Sequence, residues 1–244
     1  MNRKMYAIAL TIFVVLPLLA AAASQNARAT SGPTISLIDT SPGVTQYAHT
    51  YFYVKAGGTI NLTLYITSIT SLWSWKVNVT WNNAVLQLTP TGSVNEGPFL
   101  SSNGASTTMF IEQPPTAGDI GELSSTLLVN SSVSGSGALA YIAFTPQTLG
   151  INATIQISDI ELLNTTGNEI ATVGPVSTTI TVRLMGDVNG DNVVNMKDIA
   201  LVARAFGTTT SSSNWNPACD LNYDGVVNMK DIALVARAFG THYP

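Results

Sequence analysis

Residues 187–208, DVNGDNVVNMKDIALVARAFGT, return at 220–241 as DLNYDGVVNMKDIALVARAFGT, an offset of 33 residues. Each copy opens with oxygen-bearing side chains at loop positions 1, 3, 5, 9 and 12: Asp187, Asn189, Asp191, Asn195 and Asp198, then Asp220, Asn222, Asp224, Asn228 and Asp231. Calcium takes roughly 6 to 8 hard oxygen ligands, and a short loop supplies them by turning alternate side chains inward. Val193 and Val226, at position 7, would add their backbone carbonyls. Position 9 often acts through a water, and the carboxylate at position 12 closes the site. Asp there is shorter than the usual Glu and reaches less far for bidentate binding. The sharp turn at position 6 needs a positive φ, which Gly225 adopts freely and Asn192 tolerates better than most residues, so the first loop is expected to be the more strained. The spacing predicts two bound Ca2+ ions.

The six acidic residues of 184–244 are all Asp, and all stand at positions 1, 5 or 12. A solvated acidic surface would scatter them, and isolated turn-capping residues would not fill the same places twice. Behind the first loop Ile199, Val202 and Phe206, with Ala203 beside them, share one helical face, and Gly207 stops the helix. Ile232, Val235, Phe239 and Gly240 repeat the pattern. TTITVRLMG before the first loop reads as strand and turn, and TTTSSSNWNPAC before the second reads as linker. Each copy is therefore a loop and one helix, half of an EF-hand pair.

Two such halves resemble a type I dockerin module, and the likeness covers the whole tail. The resemblance implies calcium-dependent docking on a cohesin-bearing partner, with partner choice set at loop positions 10 and 11 and along the helix: Met196, Lys197, Ala203 and Arg204, then Met229, Lys230, Ala236 and Arg237. Lys197 and Arg204 share a helix face turned away from Ile199, Val202 and Phe206, flanked by Met196 and Leu201. Lys230, Arg237, Met229 and Leu234 repeat that stripe. Leu and Met mixed with two cations make a poor solvated face and a good docking face. Because the two copies are identical here, either helix would present the same surface.

At the other end, Arg3 and Lys4 precede an apolar run from Met5 to Ala23, broken by Pro17 and ending in AAAA, which reads as a secretory signal. Cleavage is expected after Ala23; a second small-x-small site ends at Ala29, and an uncleaved anchor is the alternative. No other stretch is long and apolar enough to span a bilayer, so the mature chain is expected outside the cell, free or held at its surface. A lone Cys219 allows no intrachain disulfide, which leaves stability to a packed core and metal; its simplest role is a small buried side chain. Charged residues are 10% of the chain and the net charge is −4, which argues against nucleic acid or an anionic membrane as partner.

The middle, 34–183, is rich in Thr, Ser, Val, Ile and Gly in alternating runs, as expected of an all-β sandwich. Ile60, Leu62, Leu64 and Ile66 share one face; so do Trp75, Val77, Val79 and Trp81, and so do Ile151, Ala153, Ile155 and Ile157. The Asn-x-Ser/Thr sequons at Asn61, Asn78, Asn130, Asn152 and Asn164 are candidate glycosylation positions, three of them on the opposite, polar face. The strand TSLWSWKVNVTWNNAVLQL, the following GPFLSSNG, the segment VSGSGALAYIAFTPQTLG with its strand from Leu139 to Phe144, and the closing GNEIATVGPVSTTITV resemble a cohesin module, which implies a nine-stranded jelly-roll sandwich that binds dockerins. The expected organisation is a signal peptide at 1–23, a linker at 24–33, the cohesin-like sandwich at 34–183 and the dockerin-like tail at 184–244.

Catalysis finds little support. His49 and His242 are far apart in sequence, there is no nucleophile elbow, metal-hydrolase His pair or phosphate-cradling loop, and pairs such as Glu112 with Glu122 occur in any sandwich with this many acids. Carbohydrate binding by the sandwich is the alternative. It needs coplanar exposed aromatics, whereas Trp75 and Trp81 alternate with core valines, leaving Tyr47, Tyr51, Tyr53 and Tyr65. The expected function is that of a secreted, non-catalytic scaffold or adaptor in polysaccharide-degrading or cell-surface assemblies. Its partners would bear cohesins or dockerins, or be copies of itself bound head to tail, with contact to polysaccharide only indirect.

Overall fold

The computed structural model describes residues 32–39, 51–55, 58–90, 92–103 and 108–243. The expected signal peptide, most of the linker, Tyr47 and His49 lie outside them. Among the described residues no helix is long and apolar enough to cross a membrane.

Among the described residues eleven strands form two facing sheets. One sheet holds β1 (Thr34–Ile38), β3 (Ile60–Leu72), β9 (Val133–Pro146) and β5 (Leu86–Leu88) in that order, with β6 (Val94–Glu96) also paired to β9. The other runs β2 (Tyr51–Val54), β11 (Val176–Leu184), β10 (Asn152–Leu163), β4 (Ser74–Trp81), β8 (Asp119–Leu127) and β7 (Thr108–Glu112). All described pairings are antiparallel except β2 with β11. The count exceeds the nine implied by resemblance, and two of the eleven, β5 and β6, are three-residue pieces laid along the long β9.

Alternation decides which side chains fill the space between the sheets. Trp75, Val77, Val79 and Trp81 point inward with at most 9% exposure, and Trp81 stands edge-on to Phe144 at 5.3 Å while its Nε1–H donates to the Leu86 carbonyl. Leu139, Ala140, Ile142 and Phe144 are buried from the facing strand β9. One expectation fails at the start of β10: Ile151 is 48% exposed, because the strand begins at Asn152 and the preceding turn at Gly150 releases Ile151 from the inward phase that Ala153, Ile155 and Ile157 keep.

Two helices follow the sandwich, α1 (Met196–Arg204) and α2 (Met229–Ala238). Val202, Ala205 and Val235 are buried between them and the loops. Phe206 and Phe239, expected in that core, are 50% and 51% exposed. Helix α1 stops at Arg204 and α2 at Ala238, so each Phe lies beyond its helix and leaves the Val202 or Val235 face; Ala205 packs where Phe206 was expected.

Candidate calcium loops and docking faces

Each loop closes on two carboxylates wholly shielded from solvent: Asp187 and Asp198 in the first, Asp220 and Asp231 in the second. Asp187 accepts the backbone N–H groups of Gly190, Asp191 and Asn192, and Asp198 those of Val188, Asn189 and Asn195. In the second loop Asp220 accepts from Asp224 and Gly225, and Asp231 from Leu221, Asn222 and Asn228. The repeated spacing thus folds each loop around its first and last Asp.

Burial holds the Asp187 carboxyl above the usual carboxylate range, against the N–H bonds from its own loop, and burial does the same to Asp231. An anion shielded from water is costly until a positive charge joins it. The rim carboxylate Asp191 moves the other way, lowered first by the Asn189 amide. Burial works to raise Asp224, yet the Asn222 amide and the Lys230 ammonium outweigh it and leave that group lowered. Lys197 Nζ lies 3.4 Å from Asp191 and Lys230 Nζ 3.0 Å from Asp224, pairs open enough to water to contribute little stability.

Among the described residues no three His, Cys, Asp or Glu side chains converge into a metal cluster by themselves. The loops instead combine two buried carboxylates with amide and carbonyl oxygens, the mixed oxygen donor set that suits a hard divalent cation. The Asn residues at position 9 also cap the helices, since Asn195 Oδ1 accepts the Lys197 N–H at the start of α1 and Asn228 Oδ1 the Lys230 N–H at the start of α2. Their amide N–H groups reach back to the Val193 and Val226 carbonyls. Asn192 has φ 65° and a buried Oδ1 without a partner, while Gly225 turns at φ 81°; the second loop in turn holds Tyr223 at φ 57° where the first has Gly190, so left-handed backbone on a side-chain-bearing residue occurs in both loops and not in the first alone as expected.

The two copies interlock. Val194 exchanges backbone hydrogen bonds with Gly240 and Thr241, and Val227 with Gly207 and Thr208, so each helix exit closes the other copy's loop. On the outer surface Met196 and Met229 are 64% and 62% exposed; Lys197, Arg204, Lys230 and Arg237 are exposed as well, and Leu201 and Leu234 are half-buried.

The tail also packs on the sandwich, a contact that helical periodicity did not reveal. Tyr223 stacks on Tyr53 with centroids 6.4 Å apart, and its hydroxyl accepts the Tyr53 N–H at 2.8 Å. Tyr53 Oη donates to the Ala218 carbonyl, next to the buried Cys219. Arg183 lies over the Tyr51 ring and donates to the Val188 carbonyl. A Cβ at Gly190 would stand 3.3 Å from the Arg183 guanidinium. The signal was nevertheless present: the copies differ only at Val188/Leu221, Gly190/Tyr223 and Asn192/Gly225, and Val188, Gly190 and Tyr223 are where the tail meets the sandwich.

The aromatics considered for sugar stacking are mostly committed elsewhere. Trp75 and Trp81 are core, Tyr53 lies under the tail, Tyr51 is half-buried beneath Arg183, and Tyr65 is half-buried. Of the sequons, Asn61, Asn130 and Asn152 are exposed; Asn78 is half-buried in β4, and half-buried Asn164 accepts three local hydrogen bonds. The outer face of β7, β8, β4 and β10 carries exposed Met109 and Ile111 beside Glu122 and a Lys76–Glu161 pair at 2.5 Å. No feature of the sequence singled that face out.

A comparison with curated proteins finds no match. Among solved structures, a non-cellulosomal cohesin from Archaeoglobus fulgidus is 17% identical, covering 62% of this chain and 91% of that one with a TM-score of 0.45. A cohesin from Clostridium acetobutylicum is 16% identical, with 62% and 91% covered and a TM-score of 0.46. A type II cohesin module from a cellulosomal adaptor scaffoldin of Acetivibrio cellulolyticus is 19% identical, with 61% and 96% covered and a TM-score of 0.45. The tail is similar at the level of sequence: residues 185–240, which hold both loops and both helices, match the family model of the dockerin type I domain.

Proposed function

We propose that this chain is a secreted, non-catalytic assembly protein whose tail, 184–244, docks on a cohesin-type sandwich of another chain and whose own sandwich, 34–183, receives a dockerin. The observation that carries this reading is the duplicated loop and helix, which matches the dockerin model and keeps the Met, Lys and Arg stripe exposed in both copies. Calcium is the cation that suits the loops. Asp187, Asn189, Asp191, the Val193 carbonyl, Asn195 and Asp198 would hold one ion, and Asp220, Asn222, Asp224, the Val226 carbonyl, Asn228 and Asp231 the second. The bound ions would neutralise the clustered carboxylates and fix both helices. The receiving surface of the sandwich is the outer face of β7, β8, β4 and β10, where exposed apolar side chains stand among carboxylates.

Charge supports the pairing. Residues 31–183 carry eight acids and three bases, net −5; residues 184–244 carry six acids and four bases, net −2. Two calcium ions would bring the tail to +2, opposite in sign to the sandwich, which favours encounter. Polysaccharide breakdown or cell-surface organisation is the setting in which such an adaptor would serve, by gathering other proteins. Light scattering of the mature chain across concentration, with calcium and then chelator, together with capture by immobilised cohesin and dockerin modules, tests the reading. Calcium-dependent association is expected; a chain that neither self-associates nor binds any such module refutes it.

A further inference from the structure

Resting on that reading, we infer that the two helices are not interchangeable: the tail docks through α1 alone, on the sandwich of a second copy, because its own sandwich walls off α2. The tail is fixed to the β2 edge of the six-stranded sheet by Tyr53 with Tyr223 and by Arg183 with Val188. In that placement a cleft of about 810 Å³ opens between the modules. Lys55, Leu184 and Met185 line it on the sandwich side, and Leu234, Arg237 and Ala238 of α2 on the tail side, with Gly240, Thr241 and His242. Leu234 and Arg237 are half of the second docking stripe. No residue of α1 lines this cleft.

A cleft of this kind admits solvent and single side chains. It does not admit a sheet face, which must lie flat along a stripe and bury on the order of 800 Å² per partner. The individual side chains of the two stripes are about equally open to water, as Met196 and Met229 show. What separates them is that Leu234 and Arg237 of α2 face the sandwich across the cleft and no residue of α1 does.

The occupant follows from chain length and charge. Only Met185 and Gly186 stand between β11 and Asp187. The receiving face starts at β10, beside β11, but its exposed apolar side chains, Met109 and Ile111 on β7, lie five strand intervals from β2, roughly 24 Å at about 4.8 Å each, and the short link together with the Tyr53–Tyr223 contact holds the tail at the β2 edge, away from them. Met196, Lys197 and Arg204 on α1 complement Met109, Ile111, Glu122 and Glu161 of a second copy in both polarity and charge. The contact is head to tail with one orientation, so copies add in a fixed sense.

Two measurements on the full mature chain with calcium test this. In the first, Met196→Glu with Arg204→Glu should weaken self-association, read by light scattering, at least about tenfold, while helical circular dichroism stays unchanged. If α2 could serve equally, association would remain near wild type, and that result overturns the inference. In the second, Arg204→Cys and Arg237→Cys are labelled with N-ethylmaleimide and with a polyethylene-glycol maleimide of a few kilodaltons. Native Cys219 is buried and reacts only when the tail opens, so labelling of the parent chain sets the background to subtract. The small reagent should label both alike, and the bulky one should label Arg237→Cys several-fold more slowly. Equal bulky labelling refutes the wall. A monomeric wild type with unequal labelling refutes second-copy docking while leaving the wall in place.

Discussion

Replacing Tyr223 with Phe deletes one oxygen from the junction between sandwich and tail, and the consequence can be worked out from its partners. That oxygen accepts the Tyr53 N–H at 2.8 Å, in a place where Tyr53 and Tyr223 are each 8% exposed. A buried donor left without an acceptor costs about 1–3 kcal/mol. At about 1.4 kcal/mol per factor of ten, states in which the tail has opened should become roughly 5- to 150-fold more populated. Cys219 reports those states: it is fully buried in the closed form, where burial pushes its thiol up to about 11, so alkylation at neutral pH must await opening. The alkylation rate of Tyr223→Phe, at fixed pH and saturating calcium, should therefore rise by that factor, while rates in concentrated urea match wild type. Tyr223→Ala, which also removes the ring stacked on Tyr53, should open further still, by about 3–5 kcal/mol in all. A Tyr223→Phe rate within twofold of wild type would refute the claim that this hydrogen bond holds the tail to the sandwich.

Chelation should abolish the helical circular dichroism of the tail and leave the β signal of the sandwich, because the buried Asp pairs repel without a cation. Asp187→Ala and Asp220→Ala should each remove one of two calcium equivalents in calorimetry. Gly186→Ala places a methyl 3.0 Å from both Ala238 Cβ and Val194 Cγ1 at φ 94°, and should lower the urea midpoint by an amount equivalent to about 1–3 kcal/mol. Trp81→Phe removes the hydrogen bond to the Leu86 carbonyl inside the sandwich and should destabilise that module with no change in calcium affinity.

The calcium loops were legible because ligand chemistry constrains side-chain type at fixed spacing, and duplication displayed the same constraint twice. The sandwich strands were legible wherever both faces of a strand carry different chemistry, as from Trp75 to Trp81. Reading failed at element ends. Ile151 and Phe206 continue an apolar period past the point where the backbone stops obeying it, and periodicity alone carries no information about that point. The junction was hidden for another reason. Tyr51, Tyr53 and Arg183 look like ordinary strand residues, and what they touch lies at sequence separations of up to 170 residues. Only the three substitutions between otherwise identical repeats hinted that one side of the tail had become specialised.

The exchange of exit segments between the repeats bears on how such a tail can arise and fail. Val194 in the first loop is held by Gly240 and Thr241, at the far end of the second copy. A cut just before Thr241 would therefore harm the first loop, far upstream, before it harmed the loop nearer to it. By the same geometry one repeat on its own has no closing segment and could complete itself only by trading exits with a twin. The pair is thus one closed unit wearing the sequence of two, in which the exchange that a symmetric dimer of single repeats would need runs within one chain.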